Sequence, residues 1–260
     1  MKNMKDKNSL PSDLEPEMEA LLLRLVPNLA EQWEGASPEE IDELERIAGR
    51  PLPRFYRWFL TRMGHSMGPI AYPTLDFSIK RILSCYAKQT VIPDPRFLLI
   101  GYENDEFMPL HIFYDFDFPN GDDARVTAME IGGGDDYPSF DTFREMLAWG
   151  KMLVFAEENF AQQCTGIVED EGGETSAKLE PVMHHLGFKA PIPTGPRCGL
   201  FERPDAAIIL DAPLDDEEAI KGQVFHIGAS DAATIRRILD TIVSDTSLEL
   251  EVDSWEPPLP

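Results

Sequence analysis

Apolar residues first recur at helical spacing between Met18 and Leu29, where Leu22, Leu25 and Val26 share one side until Pro27 interrupts the run. A sharper start follows. Ser37-Pro38-Glu39-Glu40 has the S-x-x-E spacing of a capping box with proline in the first turn. Ile41, Leu44, Ile47 and Ala48 then form one stripe, and Gly49 is placed to end the helix. Pro51 and Pro53 force an extended link. Phe55, Tyr56, Phe59, Leu60 and Met63 make the next stripe, closed by Gly64. The period then changes. Phe97 to Tyr102, Leu110 to Phe116 and Val126 to Ile131 are β-branched and aromatic runs parted by Asp, Gly, Asn and Pro, which predicts consecutive antiparallel strands. Ser139 or Asp141 caps a helix with Phe143, Met146 and Leu147 inward, running towards Phe160 with a break near Gly150. This order predicts an α+β layer with helices on one face of a sheet.

The remaining chain reads as a smaller α+β unit. A short strand at 164 to 168 precedes a helix from Thr175 to Leu186, and Pro191 to Pro196 form a loop. Strands near Gly199 to Glu202, Ala207 to Leu210 and Val224 to Ile227 come next. A helix capped by Ser230 or Asp231 and a last strand from Leu248 to Val252 complete it. The β-α-β-β-(β)-α-β order predicts a split βαβ, ferredoxin-like sandwich. The expected division is a polar tail over 1–16, a first domain over 17–160 and a second over 170–260.

Composition narrows the function classes. Hydrophobic residues form 43% of the 260, enough for packed cores. Against 23 Lys and Arg stand 47 Asp and Glu, a formal charge of −24. Such an excess disfavours nucleic acid, whose phosphates need basic contacts, and anionic membrane surfaces, and it favours basic partners. The opening MKNMKDKNSLPSDLEPEME contains no apolar signal-peptide core, and no stretch approaches ~20 apolar residues. Cys85, Cys164 and Cys198 are isolated and odd in number, which fits reduced thiols in the cytoplasm.

The run GASPEEIDELERIAGRPLPRFYRWFLTRMG, residues 35 to 64, resembles the opening of the SUKH superfamily of bacterial immunity proteins and fungal cell-wall regulators. Trp33 before Gly35, Leu44-Glu45, Leu52-Pro53, Tyr56, Phe59-Leu60 and Gly64 carry the likeness. FLLIGYEND and SFDTFREML (139 to 147) extend it over roughly residues 30 to 150. The segment from Gly64 to Phe97 departs from the pattern in being longer. The resemblance implies a SUKH-like sheet with helices on one face and a non-enzymatic role, either neutralising a cognate bacterial toxin or serving as a regulatory scaffold. An enzyme of unknown reaction is the remaining alternative.

Motifs for chemistry are lacking. Asp115, Asp117, Asn120, Asp122 and Asp123 suggest a calcium loop, but counting from Asp115 places Gly121 seventh and Val126 twelfth, where such a loop needs Gly sixth and Glu last. Gly132-Gly133-Gly134 lacks the Lys-Ser/Thr of a phosphate loop and is followed by two aspartates. His184 and His185 are adjacent on a helix and point about 100° apart, while His111 and His226 lie in apolar strands. No G-x-S-x-G elbow occurs. No catalytic residue, metal site or cofactor is therefore expected.

The acid is concentrated. Between Glu103 and Glu145 lie 12 Asp or Glu against only Arg125 and Arg144. Asp105, Glu106, Asp115, Asp117, Asp122, Asp123, Asp135 and Asp136 are expected to emerge from turns on one rim of the sheet. Tyr102 and Phe107 would serve there as aromatic anchors. Such a rim would steer a basic toxin, for instance one that attacks nucleic acid. Each acid taken singly reads as ordinary solvated surface.

Overall fold

The computed structural model describes residues 15–70, 72–107, 109–212 and 220–259. The expected polar tail lies outside them except for Glu15 and Pro16. The chain is mixed α+β with antiparallel sheets and divides into two compact units, Met1–Asp136 and Tyr137–Pro260.

The first unit opens with helices α1 (Pro16–Leu25) and α2 (Leu29–Gln32), which part at Pro27 as expected, and strand β1 (Trp33–Glu34). Helix α3 (Pro38–Ala48) starts where the capping box predicts. The Ser37 hydroxyl accepts from Glu40 N–H, and Glu40 accepts the Ser37 N–H at 2.8 Å. A cap of this kind contributes about 1 kcal/mol. Gly49 ends the helix at φ +66°, a left-handed conformation that glycine adopts without strain. After the proline link comes α4 (Arg54–Met63), whose Phe55, Tyr56, Phe59, Leu60 and Met63 are all buried. Burial of each such side chain contributes roughly 1.5–3 kcal/mol.

Two short strands follow, β2 (Ser66–Met67), which pairs with β1, and β3 (Leu75–Asp76). The longer segment before Phe97 then contains a helix that the sequence reading did not predict, α5 (Ile79–Ala87). Ser78 caps it by accepting from Arg81 N–H, and Ile79, Ile82, Cys85 and Tyr86 are buried. The expected meander is β4 (Phe97–Glu103), β5 (His111–Asn120) and β6 (Asp123–Met129), paired in the order β3-β4-β5-β6. Helix α5 packs on β4 and α4 on β6. The Tyr56 and Tyr114 rings meet edge to face at 5.4 Å between helix and sheet.

The second unit begins with β7 (Tyr137–Phe140) and α6 (Phe143–Asn159). Thr142, not Ser139 or Asp141, caps α6, which continues through Gly150 without a break. Its partners move the domain boundary. Expected to close the first domain at 160, α6 instead packs on strands of the second unit, and the division falls between Asp136 and Tyr137. Those strands are β8 (Gln162–Glu169), then, after α7 (Thr175–His185), β9 (Cys198–Arg203), β10 (Ala206–Asp211) and β11 (Gly222–Ala229). Helix α8 (Ala232–Asp245), capped by Asp231, leads to the last strand, β12 (Glu249–Glu256).

All neighbours in this sheet are antiparallel, in the order β12-β8-β11-β10-β9. One face carries Phe225, Ile227, Ile208 and Leu210 into a core with Leu179 and Met183 of α7 and Ile235 and Ile238 of α8. The residues between them face α6. Trp149 Nε1 donates to Asp211 at 3.1 Å and its ring meets His226.

Candidate partner-binding surface

A meander alternates its turns between two ends of the sheet, and this one does so. β5 opens at His111, opposite Met129, and closes at Asn120, opposite Asp123. Asp105 and Glu106, in the β4–β5 connection, therefore emerge at one end, and Asp122 and Asp123 at the other. The single acidic rim expected from the sequence does not form.

The middle of the sheet holds the largest correction. Asp115 was expected in an exposed turn, but β5 continues past it and leaves it 1% exposed. Arg96 Nε and Nη2 grip its carboxylate at 2.8 and 2.7 Å. Asp115 also accepts the Asp117 N–H at 3.1 Å. Arg96 further reaches Asp117 at 3.5 Å and Asp136 at 3.3 Å, and lies over the Phe97 ring at 4.4 Å. These carboxylates hold the guanidinium firmly protonated, the Asp115 hydrogen bonds most strongly. One cation that the sequence reading passed over thus contacts three of the eight chosen acids. Asp115 is a structural residue. Asp117 and Asp136 stay accessible, and Asp135 is exposed beside them.

The far end is mixed in sign. Asp122 lies 3.9 Å from Arg54, and the nearby Asp123 charge adds to the burial that suppresses ionisation of the Tyr114 phenol. Both aspartates line a shallow groove of about 460 Å3 with Arg50, Arg54, Arg57 and Phe116. The Arg50 guanidinium stacks on Phe116 at 4.5 Å.

The β4–β5 end is different. The Glu103 N–H donates to His111 Nδ1 at 2.9 Å, closing the stem of the connection. Glu103 Oε2 accepts from the Thr74 hydroxyl at 2.9 Å, and Oε1 accepts the Asp105 N–H at 2.7 Å. Asn104 Nδ2 donates to the Thr74 carbonyl at 2.9 Å. Asp105 Oδ1 in turn accepts the Phe107 N–H at 2.8 Å. This chain of bonds fixes the backbone on both sides of Glu106 and presents Phe107 at 96% exposure, far above any other large apolar residue described. Among the described residues Glu106 has no ion-pair partner. Tyr102, the other expected anchor, is packed against the His111 ring at 4.5 Å under the Arg81 guanidinium at 3.8 Å, so it supports the stem. Burial lowers the His111 imidazole below its ordinary value and keeps it neutral, as its acceptor role requires.

Elsewhere, titratable groups serve packing. Glu145, buried in the first turn of α6, accepts the Gly195 N–H and ties the 190s loop to the helix, and burial raises its carboxyl. Cys85, Cys164 and Cys198 are free and buried, and burial pushes the Cys164 thiol up to about 11. Such thiols are poor nucleophiles at neutral pH. An apolar cavity of about 460 Å3 in the second unit is lined by Leu179, Leu200, Phe201 and Leu210. Among the described residues no three His, Cys, Asp or Glu are grouped to hold a metal ion, and no helix is long and apolar enough to cross a membrane. No protein-family model matches the chain, and no curated protein matches it.

Proposed function

We propose that this chain is a non-enzymatic, immunity-type binding protein of the cytoplasm that covers a basic protein toxin, with the β4–β5 connection as its point of engagement. The observation that carries the reading is Phe107, an aromatic side chain left in water by a hydrogen-bonded loop and flanked by Asp105 and Glu106. An exposed aromatic on an ordered backbone binds with little entropy still to lose. Aromatic anchors of this kind dominate interface energetics. The adjacent carboxylates and the net charge of −24 add long-range steering towards a basic surface. The SUKH resemblance of residues 30 to 150 supports the class of role, and the exposed Asp117, Asp135 and Asp136 extend the acidic surface. In the second unit, the β11-α8-β12 crossover around β8 supports the ferredoxin-like assignment.

The test takes the product of a basic toxin gene adjacent to this one and follows its association in a salt series. Wild type should associate more slowly as salt rises, because steering is screened over a Debye length of about 8 Å. Phe107→Ala should raise dissociation about 30-fold with unchanged folding stability, the loss expected of a hot-spot residue. Glu106→Lys should slow association. Wild-type rates in both variants would remove the loop from the interface, and no binding of any neighbouring basic product would remove the immunity reading.

A further inference from the structure

The sheet of the second unit treats its two edges differently. The outer edge of β9 is bridged at Glu202: Lys189 N–H donates to the Glu202 carbonyl and Glu202 N–H to the Lys189 carbonyl, both at 2.9 Å. Among the described residues the outer edge of β12 has no such cover. β12 pairs with β8 alone among the described residues, and its eight residues are exposed except for the half-buried Leu250 and Trp255. It is nonetheless firmly seated. Leu250 and Trp255 pack on the core, and Gly166 of β8 lets the strand approach so closely that a Cβ there would overlap the Glu251 carbonyl oxygen.

Side chains alternate along this edge. Leu250 and Val252 lie opposite Val168 and Gly166, on the face that bears the core, and Val252 is 39% exposed. Glu249 and Glu251 project from the other face. The bulge between Val252 and Ser254 interrupts the ladder, which resumes over Ser254–Glu256, so the regular edge nearest the core is Glu249–Val252. A second copy is a poor occupant, because Glu249, Glu251 and Asp253 would meet like charges.

We propose that this edge accepts an extended segment of a partner protein as a sixth strand, one in which Lys or Arg alternates with aliphatic residues. Its backbone would satisfy the outward N–H and C=O groups of β12. Its cations would lie beside Glu249 and Glu251, and its aliphatic side chains would extend the row of Leu250 and Val252. The inference concerns a different unit from the Phe107 loop and does not depend on the toxin-binding reading.

The experiment uses the full chain and an eight-residue peptide alternating lysine and valine. Amide exchange over Glu249–Val252 should slow about tenfold at a peptide concentration ten times Kd. A peptide of the same sequence with alternate backbone nitrogens methylated should give no protection. Glu249→Lys with Glu251→Lys should weaken binding about tenfold. These residues are exposed, so folding should persist, and Glu249→Gln with Glu251→Gln serves as the milder pair should it not. Unchanged exchange at β12, equal binding of the methylated peptide, or a β12-mediated dimer of the chain in light scattering would each overturn the proposal.

Discussion

Arg96 and Asp115 are joined by two parallel N–H···O bonds across a strand pair, with the carboxylate almost wholly out of water. Truncating one partner of such a pair strands the other charge. Arg96→Met should cost about 3 kcal/mol, the low end for a buried pair because the arginine itself is 37% exposed. Arg96→Met combined with Asp115→Leu should recover most of that loss, since the desolvation penalty disappears with the charges. Urea unfolding of the two singles and the double closes the cycle. Additive losses would mean that the two residues act separately.

His111 makes stability pH-dependent. Burial holds its imidazole below the ordinary 6.5. Between that value and the lower native one, the unfolded chain binds a proton that the folded chain excludes. Stability therefore falls as pH drops through this window and levels off below it. A protonated ring also loses the acceptor for Glu103 N–H. Thermal melts from pH 7.5 to 5 should show a slope in wild type that is absent in His111→Gln. Amides around Asn104 to Phe107 should be the first to exchange faster.

Glu145 acts with the opposite sign. Burial raises its carboxyl above the ordinary 4.5, so its contribution to stability is complete below that value and is lost as pH rises through the native value. Glu145→Gln keeps an oxygen to accept the Gly195 N–H. It should raise the melting temperature at pH 7, and the gain should vanish at pH 4. A destabilised variant at pH 7 would show that the ionised carboxylate is worth more to the loop than its burial costs.

Gly166 should tolerate no side chain. A Cβ there would run into the Glu251 carbonyl oxygen and the Phe225 ring, one backbone and the other core. Gly166→Ala should therefore loosen β12 from β8 and cost roughly 1–3 kcal/mol, the range for overpacking. Faster amide exchange confined to β8 and β12 is the specific signature. Uniform loss across both units would point to global destabilisation instead.

What the sequence disclosed was what is local. The Ser37–Glu40 cap, the α4 stripe and the strand runs depend on neighbours within a few positions, and each formed near its expected place. The α5 stripe of Ile79, Ile82, Cys85 and Tyr86 was equally local, but it is short and lies where the family pattern departs. Asp115 was misplaced because its partner stands nineteen residues earlier, and a period-based reading cannot see that Arg96 will meet it. For the same reason the inward face of α6 was legible while the sheet it covers was not. The Phe107 loop depends on Thr74 and His111 from separate elements, so its order is a tertiary property.

The two compact units also follow one another along the chain without interleaving. On a ribosome adding about 5–20 residues per second, the second unit takes on the order of 10 s to emerge after the first is complete. The Arg96–Asp115 grip and the Phe107 loop both lie in the first unit, so the surface proposed for partner binding can assemble on a nascent chain. A partner could then be engaged before synthesis of the protein has finished.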